Sequence, residues 1–211
     1  MTPSLALGAL ALTLVIAAPT PGTSPKESAA MRLNDSTRPI ADRVKAAQEL
    51  GAAGDPKALD ALLRGLEVRS EALHEAVVSA LRKLGGASRL YEKLKAPREP
   101  LASKRLALRG VRALKPADAA PVLAELLDAD EPELRADAAL ALAVVGAKEA
   151  EAALIRALDD SARNVRYHAA MALAEAGGDE ALVAVKARRA KESDAVVKDA
   201  LTQAVRRLSA K

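Results

Sequence analysis

The chain has no cysteine, no phenylalanine and no tryptophan, and its 211 residues include only two tyrosines, Tyr91 and Tyr167. Without thiols there can be no disulfide scaffold, no thiol catalysis and no cysteine-bearing zinc site. Two aromatic rings are too few for a base-stacking platform that would hold RNA or single strands. Valine, isoleucine, threonine and aromatics, the usual material of sandwiches and barrels, are scarce. What is present is alanine and leucine. The 51 alanines and 32 leucines make up 83 of the 211 residues, and both are strong helix formers. The composition therefore predicts an all-α protein.

No charged side chain precedes Lys26. Leu5 to Ala18 is apolar apart from Gly8 and Thr13, and Pro19, Pro21 and Pro25 follow among Thr, Gly and Ser. The run is shorter than the ~20 residues that span a bilayer, but it fits the core of a secretory signal. Residues 1–17 are therefore expected to be a signal peptide, cut after Ala17, with export to the periplasm or the outside and no membrane span afterwards. The alternative is an uncleaved N-terminal anchor, because no Lys or Arg opens the run. Residues 18–37, rich in Pro, Ser and Thr, read as a linker. The folded domain is expected over 38–211, within the ordinary size of one domain.

That domain is periodic. Leu50, Leu81, Val111, Leu142, Leu173 and Val205 form an anchor column at intervals of 31, 30, 31, 31 and 32. The residue before each anchor is Glu49, Ala80, Gly110, Ala141, Ala172 and Ala204, small in five of six units. Four before the anchor stand Ala46, Val77, Ala107, Ala138, Ala169 and Leu201, all apolar. Each unit reads as two helices, the first with apolar residues at helical spacing, as in Leu134, Ala138, Leu142 and Val145. Gly54, Gly85, Gly146 and Gly177 mark the turn between them, and starts are signalled by Asp55-Pro56, Asp118 with Pro121, Asp130 with Pro132, and Ser161. A last helix, about 193–209, closes the series as a cap. The fold class is an α-α superhelix, an α-solenoid of five two-helix repeats plus a C-terminal capping helix.

The segments from Asn164 to Leu173 and from Glu133 to Leu142 resemble HEAT repeats, in the short form of phycobilisome-lyase-like proteins. The resemblance covers roughly 38–211 and bears on the fold, with almost nothing about activity. It also implies a structural ladder, in which an acid near the inter-repeat turn pairs with a base early in the next first helix. Seven before the anchors stand Arg43, His74, Lys104, Arg135, Arg166 and Lys198, and fourteen before stand Glu67, Asp128 and Asp159. Pro97 and Lys191 interrupt the acidic column.

Candidate chemistry is thin. His74 falls in the basic ladder column, and His168 in a variable column five before its anchor; neither has a second His at metal-ligand spacing. HEAT-type di-iron hydroxylases use several His-Glu pairs, and this chain has one, His74-Glu75. There is no Walker loop and no Gly-x-Ser-x-Gly elbow. No catalytic residue, metal or cofactor is expected, and bilin attachment, which the lyase resemblance suggests, has no support in the residues.

Charge is the informative surface feature. The net +4 conceals bands of +9 over 82–115, −8 over 116–160 and +5 over 186–211. A solenoid keeps such bands adjacent in space, where they steer partners and set register. The expected function is a non-catalytic scaffold for protein–protein interaction in the envelope or secreted space. Its partner would dock in a groove lined by second helices, at Arg64, Arg89, Lys93, Glu125, Arg156 and Arg189, with Arg105 and Arg109 from the basic band. The alternative is a binder of an anionic polymer, nucleic acid or an envelope polyanion, through 82–115. Export, the adjacent acidic band and the missing aromatics argue against nucleic acid. Opposite bands also allow salt-dependent self-association.

Overall fold

The computed structural model describes residues 25–146 and 148–210, which form twelve α-helices and no strand. First helices are α2 (Ile40–Ala53), α4 (Glu71–Lys83), α6 (Leu101–Leu114), α8 (Pro132–Val145) and α10 (Arg163–Ala176). Second helices are α3 (Leu59–Gly65), α5 (Gly86–Lys95), α7 (Ala120–Glu125), α9 (Glu151–Ala157) and α11 (Asp179–Lys191). Helix α12 (Ala195–Leu208) closes the stack on α10 and α11. The chain is an α-solenoid. None of its described helices is long and apolar enough to cross a membrane. The expected signal segment lies outside the described residues.

The linker expected over 18–37 is corrected by helix α1 (Pro25–Asn34), which packs on α2 and α3. Leu33 and Ala29 are buried, Arg32 pairs with Glu49, and Asn34 Nδ2 donates to the Ala61 carbonyl at 3.3 Å. Composition hid this helix because, among its described side chains, Ala29 and Leu33 are buried at i and i+4, Ala30 only partly, and Met31 stays exposed. It serves as an N-terminal half-unit that covers the first core layer.

The anchor column is the centre of the core. Leu50, Leu81, Val111, Leu142 and Leu173 are buried, as are all the residues four before the anchors. In α12 the register holds, with Val197, Leu201 and Ala204 buried, but Val205 and Thr202 are only half-buried. The anchor and the residue three before it thus face the following unit, which α12 does not have. In the other units that facing residue is Ala47, Val78, Leu108, Ala139 or Ala170. Where it is alanine, successive first helices lie close, as in α2–α4, α8–α10 and α10–α12. Where it is Val78, α4 and α6 barely meet, and Leu108 gives an intermediate α6–α8 junction. At the α2–α4 junction Gly51 lies so near α4 that a Cβ there would stand 2.7 Å from Ala80 Cα.

Turns follow the glycine pattern in three units: Gly54, Gly85 and Gly146 have φ of 64°, 63° and 75°. Gly177 has an ordinary negative φ, and Lys115 takes the left-handed position in the third unit at φ 49°. Among the expected start signals, Asp55 accepts from Lys57 N–H at 3.1 Å. Asp118 instead accepts from the Tyr91 hydroxyl at 2.8 Å, and Asp160 rather than Ser161 takes the Ala162 N–H, at 2.7 Å.

The ladder has a different acid from the one the spacing suggested. Arg135 makes two bonds to Asp160, at 2.7 and 2.9 Å, and donates to the carbonyls of Ala129 and Asp130. Arg166 repeats this one unit later, with Glu192 at 2.9 and 3.2 Å and the carbonyls of Asp160 and Ser161. Each arginine therefore ties the turn before it to the turn after it. The acids stand thirteen residues before the next anchor, where they also satisfy open N–H groups: Ala162 by Asp160, and Ser193 and Asp194 by Glu192. Glu67, Asp128 and Asp159, one residue earlier, pair elsewhere, with Arg109, with Arg156 at 3.5 Å and with Arg188 at 3.6 Å. Arg43 is buried and donates to the Leu33 carbonyl at 2.7 Å.

Candidate functional site

Arg105, Arg109 and Arg112 stand at i, i+4 and i+7 on α6, which places them on one helix face. That face looks toward the end of α3 on one side and toward α8 on the other. Together with Arg64, from the last turn of α3, they line a cavity of about 360 Å³ that also takes in Glu67 and Asp137. A second cavity of about 320 Å³ shares Arg109 and Arg112 and reaches His74 and Lys115. Two of the four guanidiniums are paired: Arg109 with Glu67, and Arg105 with Asp137 at 2.6 Å. Arg64 and Arg112 have no carboxylate partner among the described residues. Burial pulls Arg112 below the ordinary arginine value, Asp137 opposes this and the like charge of Arg109 adds to it. A half-buried cation without a counter-ion is costly.

The same face continues across the later first helices. Five residues before their anchors stand Leu106, Asp137, His168 and Ala200, on α6, α8, α10 and α12. His168 is half-buried, and its Nδ1 has no hydrogen-bond partner. Burial lowers its pKa; Asp137 pushes it back up and Arg112 pushes it down again. The ring meets Tyr167 edge to face, with centroids 5.2 Å apart. Beyond it, α10 and α12 enclose a cavity of about 160 Å³ whose apolar lining includes Tyr167, Met171 and Val196. Met171 and Val196 are 40% and 51% exposed, unusual for large apolar side chains.

The expected groove residues are dispersed rather than gathered on the second helices. Arg64, Arg105 and Arg109 meet at the cavity, the latter two from a first helix. Arg89 Nε caps the end of α4 by donating to the Leu84 carbonyl at 2.9 Å. Lys93 is held by Asp60 at 3.2 Å and by Glu99 at 2.5 Å. Glu125 lies 3.8 Å from Lys95, and Arg156 pairs with Asp128 as described above. Arg189, on α11, lines none of the three cavities described above. Sequence reasoning missed Arg112, Asp137, Tyr167 and Met171. The i, i+4, i+7 spacing of the α6 arginines was the signal that could have found the first of these. No cluster of three or more His, Asp or Glu able to hold a metal occurs among the described residues.

Fold and face together define an all-helical repeat solenoid that presents one partly charged and partly apolar surface. The chain carries HEAT repeats: the HEAT repeats model matches residues 119–206, and the PBS lyase HEAT-like repeat model matches residues 42–67. No curated protein sequence matches it. Among solved structures, a designed armadillo repeat protein in complex with the peptide (KR)4 is similar at 19% identity and a TM-score of 0.53, over 88% of this chain and 100% of that one. Human deoxyhypusine hydroxylase is similar at 23% identity and 0.52, over 88% of this chain and 74% of that one. An engineered protein is similar at 19% identity and 0.51, over 89% and 97%. At these identities the likeness is one of fold.

Proposed function

We propose that the protein is a non-catalytic scaffold that docks another protein on the surface formed by its first helices, in the cell envelope or after secretion. The observation that carries this reading is the state of that surface. Two arginines over a cavity lack counter-ions, and large apolar side chains lie open further along the same face. Exposed apolar area beside unpaired charge is what a docking surface presents. The designed repeat protein that carries (KR)4 supports the reading by its fold, although here the charge on the protein side is positive.

The alternative, an anionic-polymer binder through the basic band 82–115, is supported less well. Five of its eleven bases (Arg89, Lys93, Lys95, Arg105 and Arg109) are bound to carboxylates or to a helix end. The test is a comparative capture with the full protein and a Met171→Glu variant as baits, beside an unrelated helical solenoid. Partners that bind the wild type alone support the reading, and an identical set from all three baits overturns it. Export is tested by fractionation with N-terminal sequencing. An N-terminus at Ala18 in the envelope or medium is expected, whereas an intact Met1 in the cytoplasm would overturn that part.

A further inference from the structure

The two cavities of the first-helix surface occupy matching positions. On α6 the cationic cavity uses residues nine, six, five and two before the anchor: Ala102, Arg105, Leu106 and Arg109. On α12 the apolar cavity uses the same four, Val196, Asp199, Ala200 and Gln203. Both therefore open on one side of the solenoid. Asp137 borders the cationic cavity from α8, and His168 stands in the same column on α10.

We propose that this side binds an extended acidic segment of a partner protein, with carboxylates over Arg64 and Arg112 and an apolar side chain between Tyr167, Met171 and Val196. The proposal rests on the scaffold reading and names the partner's chemistry. A carboxylate in the cleft gives Arg112 the counter-ion it lacks without displacing Glu67 or Asp137. Packed helices are ~8–10 Å apart, so the two cavities, about two spacings apart, are separated by roughly 20 Å. An extended chain advances ~3.3 Å per residue, which puts the acidic and apolar anchors about six residues apart. A duplex or single strand of nucleic acid would instead need a continuous cationic track, and Asp137 and Asp199 interrupt this one.

The probe is a fluorescein-labelled synthetic peptide with a glutamate triplet, a Gly/Ser spacer and a leucine, offered in both chain directions to the full protein. Anisotropy at low salt should show binding that falls as salt rises. Replacing the peptide's glutamates with glutamines, or making Arg64→Gln or Arg112→Gln in the protein, should weaken it about tenfold, the value of one charge-assisted bond. Neither arginine holds an ion pair, so the variants keep the fold, which thermal melts check. Met171→Glu should weaken the leucine-bearing peptide and leave a leucine-to-serine peptide unchanged. Equal binding of a lysine-for-glutamate peptide, no binding at low salt, or indifference to Arg112→Gln overturns the proposal. So does tighter binding of a single-stranded oligonucleotide with the same variant pattern. In the capture experiment, a double Arg64→Gln/Arg112→Gln bait that keeps the wild-type partners overturns this inference and leaves the scaffold reading standing. A wild-type bait that keeps nothing beyond the control overturns both.

Discussion

The α8–α10 and α4–α6 junctions join equivalent helices in the same register, yet one is closed and the other open. At the closed junction the facing residue is Ala139, and Arg135 ties the flanking turns through Asp160. At the open one the facing residue is Val78, His74 stands where the arginine would be, and Arg98 where the acid would be. Size alone does not explain the opening, since Leu108 still allows a closer α6–α8 approach. Arg105 of α6 reaches Asp137 on α8, whereas no ion pair joins α4 to α6 among the described residues. The α2–α4 junction closes without a ladder pair, through Gly51 against Ala80. Close packing of small side chains is thus the rule, and the arginine ladder fastens what already fits. The loose unit is also where Arg112 stands without a carboxylate partner among the described residues.

The most severe way to break the closed half is Leu142→Ala. The side chain is fully buried in the α8 core, so the expected cost is ~2–5 kcal/mol, read from urea melts. Units coupled only to their neighbours should fail first around α8, while amide exchange near the ends stays slow. A loss under ~0.5 kcal/mol, the usual surface value, would mean that the anchor column is wrongly registered.

The ladder is probed by acid. The hydrogen bonds from Arg166, partly offset by burial, hold the Glu192 carboxyl at about 2 against an ordinary 4.5. As pH falls the unfolded chain takes up this proton first. The carboxylate's contribution is full above about 4.5 and gone below about 2. The shift corresponds to roughly 3 kcal/mol at most. Wild-type stability should drop through that window, and Glu192→Gln should flatten the drop. Parallel curves for the two proteins would show that the bridge is not coupled to folding.

The facing alanine offers a test in the opposite direction. Ala139→Leu inserts bulk where α8 and α10 touch and should cost ~1–3 kcal/mol by overpacking. If the variant is as stable as the wild type, residue size does not decide which junctions close.

Much of this fold was legible because a solenoid writes its core as a repeated column. Leu50 to Leu173 needed only counting, and the cap at α12 followed from where the column stops. Helix α1 was not legible, because Ala29 and Leu33 are too few to lift a Ser-rich segment above linker composition. The ladder acids were misplaced by one residue because spacing marks a column without showing which neighbour meets the open N–H groups. Asp160 meets them and Asp159 does not. The cleft was least legible. It depends on how α3, α6 and α8 come together, which no single helix encodes, so Arg64 and Arg109, far apart in the chain, showed no sign of meeting.

The smallest expected effect separates the two kinds of arginine. Arg109 and Glu67 pair at the mouth of the open cavity, where their side chains are 38% and 52% exposed. Water screens such a pair, and holding two long side chains offsets the attraction, so Arg109→Gln should change stability by less than ~0.5 kcal/mol. Arg135 and Asp160 are 15% and 12% exposed, and Arg135 also satisfies two carbonyls. Its removal leaves those acceptors and a carboxylate partly out of water, so Arg135→Gln should cost about 1–3 kcal/mol, between the surface and buried extremes. Chemical denaturation of the two variants side by side reads the contrast directly. Equal losses would mean that the α6 arginines are structural fasteners like those of the ladder and not charges held for a partner. A near-zero loss at Arg109 marks its pair with Glu67 as a screened surface contact, unlike the bridge that Arg135 builds.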